Sequence, residues 1–246
     1  MPSAPSEADA GLLRAGLLDG VSIVLAAPGP GAHGGGSHAE ALPGEPIAAT
    51  CGGLGARVLA CAVADDDEEA VAVAVDRALA QTPGEVNLLV VDCAAVFARA
   101  VGASTQRDRG RRALSMCLQG SWNVTRALAS RCFLPIGRGG RIVYIAPGAA
   151  GGEGEHARAA RAGLENLSRT LSVEWARHQI TAVTIAPPPR PAPPEPGLGG
   201  ASSGASGAAR AATAGGEVAT LVADLASPAG AYFSGCLLEL TAPAAQ

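Results

Sequence analysis

A chain of 246 residues, 48% hydrophobic and only 3% aromatic, has room for one domain whose core must be built from Ala, Val and Leu. Its formal charge of −4 and scattered arginines exclude the basic face that nucleic acid requires. No apolar run reaches the roughly 18–20 residues of a bilayer span, and six cysteines without Cys-x-x-Cys spacing, in the absence of a charged–apolar–small leader, point to a reducing, cytoplasmic setting with no metal centre.

Residues 1–19 read as a Ser/Ala/Glu-rich N-terminal extension, with Leu12–Leu18 expected on the surface. Val21–Ala26 is the first strand, an apolar run followed by the Gly/Pro stretch Pro28–Gly36. Pro43 and Pro46 are expected to interrupt the helix that should follow, leaving a helical segment that ends near Leu54-Gly55. Arg57–Val63 is the second strand. Asp65-Asp66-Asp67-Glu68-Glu69 is read as the acidic first turn of a helix over Asp66–Ala80, because acids stabilise a helix N-terminus. Asn87–Asp92 is the third strand and ends in Val91-Asp92-Cys93-Ala94. Arg112–Arg131 carries Leu114, Cys117, Leu118, Val124 and Leu128 at helical spacing.

The next stretch is strand, helix, strand. Arg141–Ile145 is short, apolar and bounded by Gly140 and Pro147. In the helix Arg161–Ala176, Leu164, Leu167, Leu171 and Trp175 recur at steps of three and four. Thr181–Ile185 is β-branched and stops at a proline run that cannot continue a ladder. Residues 188–216 are Pro/Gly/Ala-rich and read as an extended, degenerate lid loop. A last helix from Glu217 and a strand Leu237–Leu240 close the chain. Alternating strands and helices predict a Rossmann-like three-layer α/β sandwich with a mainly parallel sheet of about six strands.

These runs, in order from about Gly20 to Leu240, resemble the short-chain dehydrogenase/reductase family, especially its 3-oxoacyl reductase-like branch. In that family the first strand leads into Thr-Gly-x-x-x-Gly-x-Gly; here the Thr-Gly positions read Ala26-Ala27, and Pro28 and Pro30 remove two N–H donors from the loop. The central Asn-Asn-Ala-Gly reads Val91-Asp92-Cys93-Ala94, and the Asn of Asn-Leu-x-Gly reads Cys117. The catalytic Ser position falls on Pro147, the Tyr of Tyr-x-x-x-Lys on Ala157, the Lys on Arg161, and the Gly after the third strand's Pro187 on Pro188. The resemblance implies a Tyr acid tuned by Lys and a carbonyl polarised by Ser; none of these side chains is present. Only 45 residues separate Val21 from Asp65 inclusive, where the family fits an additional βα unit, so one unit is expected to be missing, with the residue that distinguishes NAD from NADP.

Four residues are weighed as replacements. His156, one residue before the vacated Tyr position, is a competent acid near neutral pH but reads as a loop residue. Arg161 could hold a phosphate or carboxylate, but a guanidinium does not tune an acid as a lysine does. Tyr144 is expected to pack against a neighbouring helix, and Cys117 to be a buried spacer. The sequence therefore predicts no catalytic, cofactor-binding or metal-binding residues. The expected function is a catalytically silent structural or regulatory subunit, paired with itself or an active paralogue through helices around 112–131 and 158–177, with Trp122 as an interface anchor. The alternative is an NAD(P)-dependent short-chain oxidoreductase with an atypical site.

Overall fold

Six strands, β1 (Ser22–Ala27), β2 (Arg57–Ala62), β3 (Leu88–Val91), β4 (Gly140–Ile145), β5 (Ile180–Ala186) and β6 (Leu237–Glu239), form one wholly parallel sheet in the order β2-β1-β3-β4-β5-β6. The structure, a computed structural model, describes residues 13–29, 44–63, 67–82, 84–103, 108–135, 137, 139–148, 154–188 and 203–241, with side chains of the last stretch from 215. All six strands expected from the sequence are in the sheet, within two residues at each end. The inner strands β1, β3, β4 and β5 are buried along consecutive positions, as parallel strands covered on both faces are, whereas the edge strands β2 and β6 are partly exposed.

Side chains alternate between two core layers. Val24, Leu89, Ile142, Tyr144 and Ala182 face one layer, packed with helices α2 (Glu68–Leu79), α3 (Cys93–Ala103), α4 (Arg109–Leu128) and α5 (Gly154–Glu174). Ile23, Leu25, Leu88, Val90, Val143 and Ile185 face the other, packed with α1 (Gly44–Gly53) and α6 (Ser203–Ala226). The architecture is the three-layer sandwich read from the sequence. From β1 the chain runs outward to β2 and then returns to β3 on the other side of β1. The reversal opens a crevice at the carboxyl ends of β1 and β3, the place where open α/β sheets bind ligands.

Several local readings need correction. Pro46 does not interrupt α1: it is the helix's third residue, where the missing N–H has no intrahelical partner to lose. Pro43 lies outside the described residues, as do Asp65 and Asp66; the acidic run supplies Asp67 as N-cap of α2, accepting from the Glu69 N–H at 2.9 Å, with Glu68 and Glu69 in the first turn. Helix α3 has no counterpart in the sequence reading. Helix α5 begins at Gly154, so His156 and Ala157 lie in its first turn and not in a loop. Helix α6 begins at Ser203, so the loop read over 188–216 is helical in its last part. Leu18, expected on the surface, is fully buried among Ile23, Ile47 and Cys51, and its N–H donates to the Leu54 carbonyl at 2.9 Å. Leu18 is thus part of the core, with Leu13 and Leu17 packed against it.

Candidate functional site

Asp92 ends β3 at the crevice. Its N–H donates to the Ala26 carbonyl of β1 at 2.8 Å, and its own carbonyl accepts from Val96 at 3.1 Å, so it sits at the N-cap of α3. Its Oδ1 accepts the Ala95 N–H at 2.9 Å, the usual service of an N-cap aspartate. Its Oδ2 is different: it is fully buried and has no hydrogen-bond partner among the described residues. Gly44, the first residue of α1, lies against it; a Cβ at Gly44 would stand 3.7 Å from Oδ2. Burial pushes the Asp92 carboxyl up to about 6, opposed by the nearby N–H groups of Ala95 and Gly44. The Gly44 N–H thus favours the carboxylate electrostatically without closing a hydrogen bond of good geometry.

Behind Asp92 lies a buried cluster of soft and hydroxyl groups. Cys93 Sγ is 3.1 Å from Ser121 Oγ, and the Ser121 hydroxyl donates to the Cys117 carbonyl at 2.5 Å. Cys117 Sγ donates to the Cys93 carbonyl at 3.7 Å. Burial holds the Cys93 thiol well above its ordinary range, with Cys117 adding to the rise. It is therefore an inert packing thiol. Tyr144, on β4, is fully buried with its hydroxyl 2.8 Å from Thr125 Oγ1 of α4. Burial drives its ionisation far upward. Cys117 is fully buried, and Tyr144 packs against α4.

The next wall is the start of α5. Ala157, Ala160, Leu164, Ser168 and Leu171 face inward at helical spacing, and Thr184 of β5 donates to the Leu164 carbonyl at 3.1 Å, fixing the helix on the sheet. Ala157 is 2% exposed and part of the core. Arg161, one turn on, forms an ion pair with Glu239 at the end of β6. Pro147, just past β4, is buried. On the outer side, α4 and α5 approach closely at Gly163, where a Cβ would come within 2.8 Å of Leu118. Trp122 and Trp175 stack nearby, ring centroids 6.5 Å apart at 30°.

Comparison with known proteins resolves the family. The profile described as Enoyl-(Acyl carrier protein) reductase matches residues 37–240. The chain belongs to the short-chain dehydrogenase/reductase family. Among solved structures it is similar to a short chain dehydrogenase from Mycobacterium smegmatis (20% identity, 94% of this chain and 95% of that one, TM-score 0.63). It is likewise similar to a citronellol catabolism dehydrogenase of Pseudomonas aeruginosa PAO1 (23%, 96% and 99%, 0.62) and a hydroxysteroid dehydrogenase from Escherichia coli (17%, 92% and 98%, 0.64). At these identities the likeness establishes the fold. A search of curated proteins found no match.

The short-chain dehydrogenase/reductase frame now gives each position a place. Ala157, Arg161, Pro147 and Cys117, which the sequence reading matched to the family's Tyr, Lys, Ser and Asn, all lie around the carboxyl edge of the sheet, and three of the four are buried. His156, in the first turn of α5, is half-buried. Sequence reasoning missed two participants: Glu239, which engages Arg161, and the unpartnered oxygen of Asp92. The second had a signal, an acid directly after four apolar strand residues and three before a backbone N–H it could cap. Of the family's glycine-rich loop, Pro28 and Gly29 are described and Pro30 is not. Among the described residues no cluster suited to a metal ion occurs, and no helix is long and apolar enough to cross a membrane.

Proposed function

We propose that this protein is a catalytically silent member of the short-chain dehydrogenase/reductase family, acting as a structural or regulatory subunit in the cytoplasm. One observation carries the reading: one turn apart on α5, Ala157 presents a core methyl group where the family places its acid, and Arg161 is tied to Glu239 where the family places its lysine. An acid that protonates a developing alkoxide must reach it from this turn. A methyl group has no proton to give, and a guanidinium held by a carboxylate does not tune a neighbour as an ammonium does.

The family normally binds NAD(P), and the described residues of this edge do not fit it. In this fold the pyrophosphate sits at the N-terminus of the first helix. Here that end of α1 already faces the buried Asp92 carboxylate, so a phosphate would meet like charge in a poorly solvated place. Pro188 has no N–H to offer, and Ala26-Ala27 replace the polar turn.

The partner in this reading is a second copy or an active paralogue, joined across a two-fold axis through α4 and α5. Trp122 and Trp175 stack on the outer side of these helices with Trp122 36% exposed, and Val173 is 77% exposed at the end of α5. Large aromatic area of this kind anchors interfaces at small entropic cost. Six cysteines, all free, agree with a reducing compartment.

The test is calorimetry of the purified chain with NAD(H) and NADP(H), beside an assay of 3-oxoacyl thioester reduction. Neither dinucleotide is expected to bind in the micromolar range, and no turnover is expected above background. Micromolar binding together with turnover overturns the silent reading. The position of His156 in the first turn of α5 favours a second reading, an NAD(P)-dependent oxidoreductase with an atypical acid. If turnover is seen, His156→Ala decides it, since an unchanged rate removes His156 as that acid.

A further inference from the structure

Helix α1 is lightly held. Of its 10 residues only Ile47 and Cys51 are buried, in the layer that also holds Leu18, Leu25 and Val222. Its first residue, Gly44, covers the end of β3: a Cβ there would stand 3.7 Å from Asp92 Oδ2 and 3.9 Å from the Ala27 and Leu25 side chains. The cover is bare backbone over a fully buried carboxyl whose Oδ2 has no hydrogen-bond partner among the described residues. A charge enclosed in this manner is stabilised by any motion that lets water reach it. Asp92 is continuous with β3 and caps α3, with Oδ1 on the Ala95 N–H, so those two elements stay with it. The removable wall is α1.

Among the described residues no cation holds the Asp92 charge in place. Glu45, beside Gly44 on α1, is exposed and carries the same sign. Helix α3 brings the Cys93 thiol, which burial holds well above its ordinary range, and α4 brings Cys117 and Ser121 behind it. Strand β1 brings Ala26 and Ala27, and β4 brings Tyr144, whose hydroxyl is bound to Thr125. Only the N–H groups of Ala95 and Gly44 favour the carboxylate, and burial outweighs them: the group ionises at about 6 against an ordinary 3.8. The closed form therefore keeps a proton that a hydrated, open form has released. Opening becomes easier as pH rises from 3.8 to about 6 and levels off above that.

We propose that α1 is a latch over the end of β3, loosened by ionisation of Asp92, whose opening hydrates the unpartnered oxygen and uncovers the Cys51 thiol with the apolar layer beneath. The device is independent of whether the carboxyl edge is catalytic.

The test is alkylation of the full-length protein with iodoacetamide, read for each cysteine by peptide mass spectrometry in the parent and in Asp92→Asn. The ratio of the two proteins at each pH cancels the thiolate content, and labelling slower than reclosing reports the opening equilibrium. The parent-to-variant ratio at Cys51 is expected to rise about tenfold between about pH 5 and about pH 7.5. In the parent near neutral pH, Cys51 is expected to label at least about ten times faster than Cys117, which sits in α4 and is reached through global unfolding. Hydrogen exchange of residues 48–51 in the parent alone, corrected for intrinsic rates, is expected to lose protection about tenfold over the same range, a readout that does not need the variant to fold. The proposal is overturned if the Cys51 ratio is constant or falls with pH, if Cys51 labels no faster than Cys117, or if the protection of residues 48–51 does not change with pH.

Discussion

Replacing Asp92 by Asn isolates the energetic consequence of a buried carboxyl with one unpartnered oxygen. The group ionises at about 6 in the folded chain against an ordinary 3.8. Because the folded pKa is raised, the folded state holds a proton between these values that the unfolded state has released. Stability therefore falls as pH rises from 3.8 to about 6, and the full cost persists above that. The difference corresponds to about 3 kcal/mol. Asp92→Asn removes the titration, keeps the acceptor for the Ala95 N–H, and leaves an amide N–H₂ without a partner at a pH-independent cost of about 1–2 kcal/mol. The variant is expected to be more stable than the parent by about 1–2 kcal/mol near pH 7.5 and less stable by a similar amount near pH 4. For a chain of this length that swing is about 6–12 °C in Tm. Urea denaturation of both proteins across this range measures it, and the other carboxyls cancel in the difference. A stability difference that does not change with pH, or that changes in the opposite direction, refutes the reasoning.

Two further outcomes concern packing and association. The Arg141 guanidinium donates through Nη1 to the carbonyls of Leu225 and Ala226 at 2.8 and 2.9 Å and to that of Ser227, closing the C-terminus of α6. Arg141→Met is expected to cost about 2–3 kcal/mol by leaving those carbonyls without their charged donor, as read by chemical denaturation. Trp122→Ala is expected to weaken association by about 2 kcal/mol, measured by sedimentation equilibrium. A parent chain that is monomeric at micromolar concentration and brings down no partner from its native host would remove the basis for that expectation.

What the sequence determined by itself is local. Six apolar runs become six parallel strands; for the four inner ones, β1, β3, β4 and β5, burial on both faces leaves little room for polar residues at alternate positions, and that constraint is written in each segment separately. The order of half-motifs likewise pointed to Ala157 and Arg161, which the fold places one turn apart on α5. Periodicity failed where it had little contrast to work with: α3 is apolar on most of its surface, and the first part of α6 is Ala, Gly and Ser with few side chains to mark a face. Only the tertiary structure decided the partners. Glu239 reaches Arg161 because β6 lies beside β5 and α5 packs on β5. Asp92 loses its water because α1 and α3 begin on either side of it, and Arg141 finds three carbonyls because α6 ends over the start of β4. An ion pair or a desolvated carboxyl depends on which elements cover the ends of the strands, and residues distant in the chain supply those elements.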